Sequence, residues 1–182
     1  VAGMTADESS PMNYYRAFRD ISEWLTPDDI IIGEGANTMD IGRTQMPNLN
    51  ARHRLDAGSY GTMGIGLGFA VAAAVCNPGK RVVSVQGDSA FGFSGMEMET
   101  ICRYQLPVVV VILNNNGIGG GQAELPEDGP PPPNMYLPSA RYEKIAEAFG
   151  AGSFYVEDTA DLRPALDAAA ALGGPAIVHV RL

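Results

Sequence analysis

Positive charge is scarce in this sequence: 12 lysines and arginines stand against 21 acidic residues among 182, a net charge of −9. None falls between Val82 and Cys102, nor between Tyr104 and Ala140. Without a basic cluster to meet a phosphate backbone, nucleic acid is excluded as a partner class. Sulfur and imidazole are equally sparse. Cys76 and Cys102 lie 26 residues apart with no C-x-x-C, and His53 and His179 add no ligand cluster, so neither a disulfide framework nor a zinc site is expected. Both thiols read as small buried side chains in a reducing, cytoplasmic setting, a peroxisomal one being the alternative. No apolar run nears the roughly 18 residues that a membrane helix requires, and no basic stretch followed by an apolar one marks a secretory signal. The chain opens on Val1 and closes on a strand pattern, and it is expected to be a piece of a longer polypeptide.

Apolar residues make up 46% of the chain and glycine 22 positions, sufficient for one domain with its own core. Residues 1–12 read as a linker or flexible segment and 13–182 as the domain. Apolar periodicity predicts a helix over Asn13–Leu25 and a buried strand over Ile30–Gly33, then a loop carrying Arg43, Arg52 and Arg54. A glycine-rich start, Gly58–Gly68, runs into a helix ending at Cys76, and its Gly64, Gly66 and Gly68 imply that something approaches that backbone closely. Arg81–Gln86 and Val108–Leu113 are β-branched and do not alternate, as strands covered on both faces do. Gly95–Tyr104 is their expected crossover helix, and helices Arg141–Phe149 and Asp161–Leu172 alternate with strands Ser153–Val156 and Ala176–Val180. The fold class is therefore α/β: a doubly wound, mainly parallel sheet of about six strands with helices on both faces. Only Gly117–Pro138 breaks the order, about twenty residues without periodicity, the mark of a lid or a disordered segment.

In such sheets ligands lie beyond the carboxyl ends of the strands, so the residues after each strand carry the functional signal. Gly87-Asp88-Ser89 follows one strand and Asn114-Asn115-Asn116-Gly117 the other, with Asn115 27 residues after Asp88. Each of these segments alone is a turn signal. Neighbouring strands lie about 4.8 Å apart, and two oxygen ligands at about 2.1 Å each from one ion span nearly that gap. Asp88, Asn115 and a carbonyl near Gly117 are hard oxygen donors, which suit Mg²⁺ or Ca²⁺ and leave positions open for a phosphate. With no lysine or arginine nearby, a bound diphosphate would depend on the ion and on free backbone N–H groups. Other motifs fail: no P-loop exists, Gly64-Ile65-Gly66-Leu67-Gly68 is followed by Phe69 where a dinucleotide fingerprint requires glycine, and Ser94 is followed two residues later by Met96 where a hydrolase elbow requires glycine.

Gly87-Asp88-Ser89 through Asn114-Asn115 resembles the cofactor signature of thiamine-diphosphate enzymes, and Gly61-Thr62-Met63-Gly64 the segment that holds the aminopyrimidine. More narrowly, Gly33-Glu34-Gly35-Ala36-Asn37-Thr38-Met39-Asp40-Ile41-Gly42-Arg43 and the run from Gly87 to Glu97 resemble the 2-hydroxyacyl-CoA lyase and oxalyl-CoA decarboxylase branch. The likeness extends from about Asn13 to the C-terminus. It implies thiamine diphosphate and Mg²⁺ as cofactors, with Asp88, Asn115 and the Gly117 carbonyl on the metal. Gly87, Ser89, Ala90, Asn37, Thr38 and Ile118 would then line the cofactor, the Gly61 carbonyl would accept from its amino group, and Met63 would support its bent form.

The same resemblance implies cleavage of a 2-hydroxyacyl-CoA to formyl-CoA and an aldehyde or ketone, or the reverse condensation; oxalyl-CoA decarboxylation is the alternative, and a non-catalytic cofactor-binding or assembly module a second one. The activating glutamate is implied to come from a pyrimidine domain of a neighbouring subunit, so no certain catalytic residue is expected within this chain, and a homodimer or homotetramer follows. Glu34, just after a strand, is expected to be structural or hydrogen-bonding. Where the branch usually carries tyrosine after Asn116-Gly117-Ile118, this chain has Gly119, then Gly120 and Gly121. Gly119 is therefore a substrate-pocket candidate, its missing side chain giving room for a branched or bulkier carbonyl product.

Overall fold

Runs of valine and isoleucine, stiff at χ1 and suited to a pleated surface, form the centre of the molecule. The computed structural model describes residues 1–121 and 125–182. Its sheet contains β1 (Ile30–Glu34), β2 (Arg54–Asp56), β3 (Val82–Gly87), β4 (Val108–Asn114), β5 (Gly152–Val156) and β6 (Ala176–Arg181), in the order β2-β1-β3-β4-β6-β5. Every pairing is parallel, as the non-alternating pattern predicts.

Along β4 the period of two divides the core. Val109, Val111 and Leu113 face helices α2 (Tyr14–Trp24) and α8 (Thr159–Ala171), packing with Phe18, Ile21, Leu162 and Leu166. Val108, Val110 and Ile112 face α4 (Gly66–Cys76) and α6 (Met98–Arg103), packing with Leu67, Ala70 and Ile101. The remaining helices are α1 (Ala2–Thr5), α3 (Ala36–Gln45), α5 (Asp88–Ser94) and α7 (Lys144–Ala148).

The chain leaves β1 for β2 on one side, whereas it leaves β3 for β4 on the other. Because β1 and β3 are neighbours, a crevice opens where their onward connections diverge, beyond Glu34 and Gly87. The anticipated neighbours β3 and β4 do pair, with Gly87 opposite Leu113.

Several local expectations are corrected. The segment after β1 is not a loop: Arg43 lies on α3 and Arg54 on the short edge strand β2. The apolar spacing of α3 is too weak to betray it, since it carries few large apolar side chains. The crossover begins seven residues earlier than Gly95, as α5, a 3₁₀ turn at Gly95–Glu97, and then α6. Cys102 is buried but Cys76 is exposed; α4 is apolar on every side, so its sequence could not tell inner face from outer. Within residues 1–12 only Met12 is buried, while Asn13 Nδ2 donates to the Met4 carbonyl at 3.0 Å and Thr159 Oγ1 to that of Ser9 at 3.1 Å. Of the aperiodic stretch Gly117–Pro138, residues 122–124 lie outside the described residues. Its two ends are joined, Ile118 N–H donating to the Asn134 carbonyl and Tyr136 N–H to that of Asn116, both at 2.9 Å.

Candidate functional site

Four loops meet at the crevice. The turn after β3 enters α5 directly, and Asp88 is its first residue, 2% exposed. Its carboxylate accepts from Ser89 N–H at 2.8 Å and from Gly117 N–H at 2.9 Å, which ties the end of β3 to the end of β4. Burial pushes the Asp88 pKa up to about 6; the groups that oppose this are backbone N–H donors, with no basic side chain among them. Gly117 has to be glycine, because a Cβ there would stand 2.3 Å from the Asn134 carbonyl oxygen. Asn116 adopts φ 62°, turning the chain so that Asn115 and Gly117 flank Asp88.

The second approach comes from β1. Gly35, at φ 110°, starts α3, and a Cβ at this position would lie 2.4 Å from Thr38 Oγ1. The first N–H groups of a helix lack intrahelical partners and carry partial positive charge, and Gly35, Ala36, Asn37 and Thr38 all line the cavity. Asn37 Nδ2 and Asn115 Nδ2 both donate to the Gly119 carbonyl, at 3.1 and 2.8 Å.

The cavity measures about 220 Å³. Met63, Gly87, Asp88, Ser89, Ala90, Asn115, Gly117, Ile118 and Gly119 complete the set of anticipated residues on its wall, joining Asn37 and Thr38. Gly61 alone stands off it, at φ 59° on the turn before Met63. Tyr14 and Phe93 line the cavity although the sequence reading missed both. Nothing local marks Tyr14, which sits on an ordinary amphipathic helix; burial pushes its phenol up to about 12. A second cleft of about 550 Å³ adjoins, sharing Asp88, Ser89 and Phe93 and walled further by Met135, Tyr136, Leu137 and Tyr142.

Glu34 is fully buried and accepts from the N–H groups of Gly64 and of Gly66, the latter at 2.6 Å. Burial pushes its pKa up and those N–H groups pull it back. It is a structural acceptor, and it accounts for the close approach implied by the glycines. A Cβ on Gly66 would lie 2.4 Å from Gln86 Nε2 and 2.5 Å from Glu34 Oε2, whereas one on Gly68 would meet nothing within 4 Å.

The donors fit a hard divalent cation. Among the described residues no cluster of three His, Cys, Asp or Glu exists, so a closed all-protein cage is not built here. Asp88 supplies a carboxylate, while Asn115 Oδ1 and the Gly117 carbonyl accept no hydrogen bond among the described residues. Such a set leaves coordination positions for a phosphate.

A family profile described as "Thiamine pyrophosphate enzyme, C-terminal TPP binding domain" matches residues 35–180. Among curated proteins the chain is 49% identical over 176 residues to 2-hydroxyacyl-CoA lyase 1 of Mus musculus, covering 90% of this chain and 30% of that one. It is 44% identical over 176 residues to oxalyl-CoA decarboxylase of Escherichia coli K12, covering 95% and 31%. Among solved structures, a thiamin diphosphate-dependent enzyme isolated from Mycobacterium smegmatis superposes with a TM-score of 0.79 at 26% identity, covering 95% of this chain and 32% of that one. Benzoylformate decarboxylase from Polynucleobacter necessarius, at 20% identity and TM-score 0.80 over 97% and 34%, shares the fold. The chain thus spans about a third of the length of the relatives it matches.

Proposed function

The chain belongs to the thiamine pyrophosphate enzymes as their C-terminal TPP-binding domain, and from that premise we propose that it forms the diphosphate- and magnesium-holding half of a 2-hydroxyacyl-CoA lyase site. The observation that carries this reading is the junction of two strand ends at one buried carboxylate, Asp88 Oδ2 accepting from Gly117 N–H at 2.9 Å beside the opening turn of α3. Asp88, Asn115 Oδ1 and the Gly117 carbonyl would hold Mg²⁺; Ser89, Ala90, Asn37 and Thr38 would meet the diphosphate. Bound thiamine diphosphate supplies the electron sink that lets the C1–C2 bond of a 2-hydroxyacyl thioester break. The chain's own part is to orient and to exclude water. Met63 supports the cofactor from the turn that Glu34 anchors, and Phe93, Met135, Leu137 and Tyr142 wall an apolar cleft suited to the acyl portion.

Gly119 deepens the specificity reading, since a Cβ there would meet no described residue within 4 Å. The free volume favours a branched carbonyl product. Its φ of +73° strains any other residue, so Gly119→Asn, the side chain that best tolerates this conformation, is a cleaner probe than tyrosine. It should shift preference from branched toward straight acyl groups.

Glu34 is occupied by backbone donors, so the acidic group that activates the cofactor is assigned to a pyrimidine domain of a neighbouring subunit. The outer side of α4 supports such a partner. The helix carries no charged residue, Phe69 and Val75 stand exposed on it, and Phe93 and Met96 stand exposed on α5 and the 3₁₀ turn that pack against it; a helix apolar all round belongs inside something larger. We assign the working assembly to a homodimer or homotetramer acting in a reducing, cytoplasmic compartment.

The test is to supply the full-length protein with Mg²⁺, thiamine diphosphate and a 2-hydroxyacyl-CoA and to assay formyl-CoA. Asp88→Ala should reduce magnesium-dependent cofactor uptake by more than about a hundredfold. Formyl-CoA from oxalyl-CoA alone would favour the decarboxylase, and cofactor uptake with neither product a binding module.

A further inference from the structure

Behind the Asn115–Gly117 turn lies a buried polar chain that takes no part in the cavity wall. His179 on β6 and Glu143 at the start of α7 are 0% and 1% exposed. His179 Nδ1 stands 2.7 Å from Glu143 Oε2, and its Nε2 stands 3.0 Å from Asn114 Nδ2. The partners dictate the tautomer. A carboxylate only accepts, so Nδ1 carries the proton; an amide nitrogen only donates, so Nε2 is the acceptor. That fixes the amide of Asn114 with Oδ1 outward, where it accepts from Asn116 N–H at 2.9 Å. Asn116 is the left-handed residue that turns the chain between Asn115 and Gly117. Arg141 closes the outer end, its Nε donating to Glu143 Oε1 at 2.6 Å while its guanidinium lies 3.8 Å over the Tyr155 ring.

We propose that the Glu143–His179 pair is the positioning device of the Asn115–Gly117 turn, setting the face of the Asn114 amide and, through it, the conformation of Asn116. Without an acceptor at Nε2 the Asn114 amide is free to rotate, its Oδ1 leaves Asn116, and the turn loses the bond that holds its left-handed residue. The consequence for magnesium rests on the reading of that turn as a metal site; the consequence for the turn does not.

Two replacements separate the ends of the ring. Gln reaches as far as Nε2 and offers Asn114 an acceptor; Asn reaches only as far as Nδ1 and keeps the contact with Glu143 alone. In the full-length protein, His179→Asn should raise the magnesium concentration for half-maximal thiamine diphosphate uptake by about tenfold, the scale of one lost buried acceptor, while His179→Gln stays near wild type. The same ordering should appear without cofactor as faster hydrogen exchange at Asn116 N–H in the Asn variant only. Nitrogen NMR of the wild type should find the proton on Nδ1, which keeps the proposal testable if a variant fails to fold. A proton on Nε2, unchanged Asn116 exchange in His179→Asn, or equal magnesium dependence of the Asn and Gln variants would overturn it. Absence of any magnesium-dependent uptake by the wild type would instead overturn the cofactor reading, with Asn116 exchange still deciding the positioning role.

Discussion

Single buried acceptors govern this site. Glu34 divides its two oxygens between two backbone donors, so Glu34→Gln turns one acceptor into a donor facing an N–H. An unsatisfied buried donor costs about 1–3 kcal/mol, and the variant should melt earlier and lose protection at Gly64 and Gly66 by hydrogen exchange. The imidazole of His179 gives a pH prediction of defined sign. Burial pushes its pKa below the ordinary 6.5, against the pull of Glu143 and with the push of Arg141 and Arg181; Tyr142 and Tyr155 pack edge-on to the ring. Unfolded chains therefore take up this proton first as pH falls, and that part of the stability, complete above 6.5, is lost below it. Thermal melts from about pH 7.5 to about 5.5 should show a steeper decline for wild type than for His179→Gln. At this scale the sequence was legible where residue type dictates chemistry: Asp88, Asn115 and Gly117 stand together as their spacing requires. Tyr14 was not, because its part in the cavity depends on how α2 docks across the sheet end, a long-range event without a local signal.

Elements followed the same division. β-branched runs announced the central strands, since burial on both faces leaves no room for polar alternation. α3 was hidden because its glycine start and largely polar length leave no apolar period to read. The glycines leading into α4 were correctly read as a close approach, though only one of them demands it in the helix. Gly66→Ala forces a Cβ into Gln86 and Glu34 and should destabilise by about 1–3 kcal/mol. Gly68→Ala enters open space and should leave stability unchanged or raise it by up to about 1 kcal/mol from helix propensity. Chemical denaturation of the two variants side by side checks the contrast.

For the molecule as a whole, the proposed cofactor and ion would act as a second clasp across strand ends that Asp88 already joins through Gly117 N–H. A ligand bound only by the folded state at a hundred times its Kd adds about 2.7 kcal/mol, so chelating magnesium from the loaded protein should lower its melting temperature, and restoring the ion should recover it. Five of the six parallel strands, with helices on both faces, were foreseeable from pattern, β2 having read as loop; which side of α4 faces outward was not, for the helix reads the same on each of its faces. That ambiguity has a practical edge. Synthesised by itself, this polypeptide would show water an oily stripe along Phe69 and Val75, and self-adhesion and retention by chaperones are the expected fate. Yield on co-production with a companion that caps the stripe then becomes a simple assay for who the natural companion is.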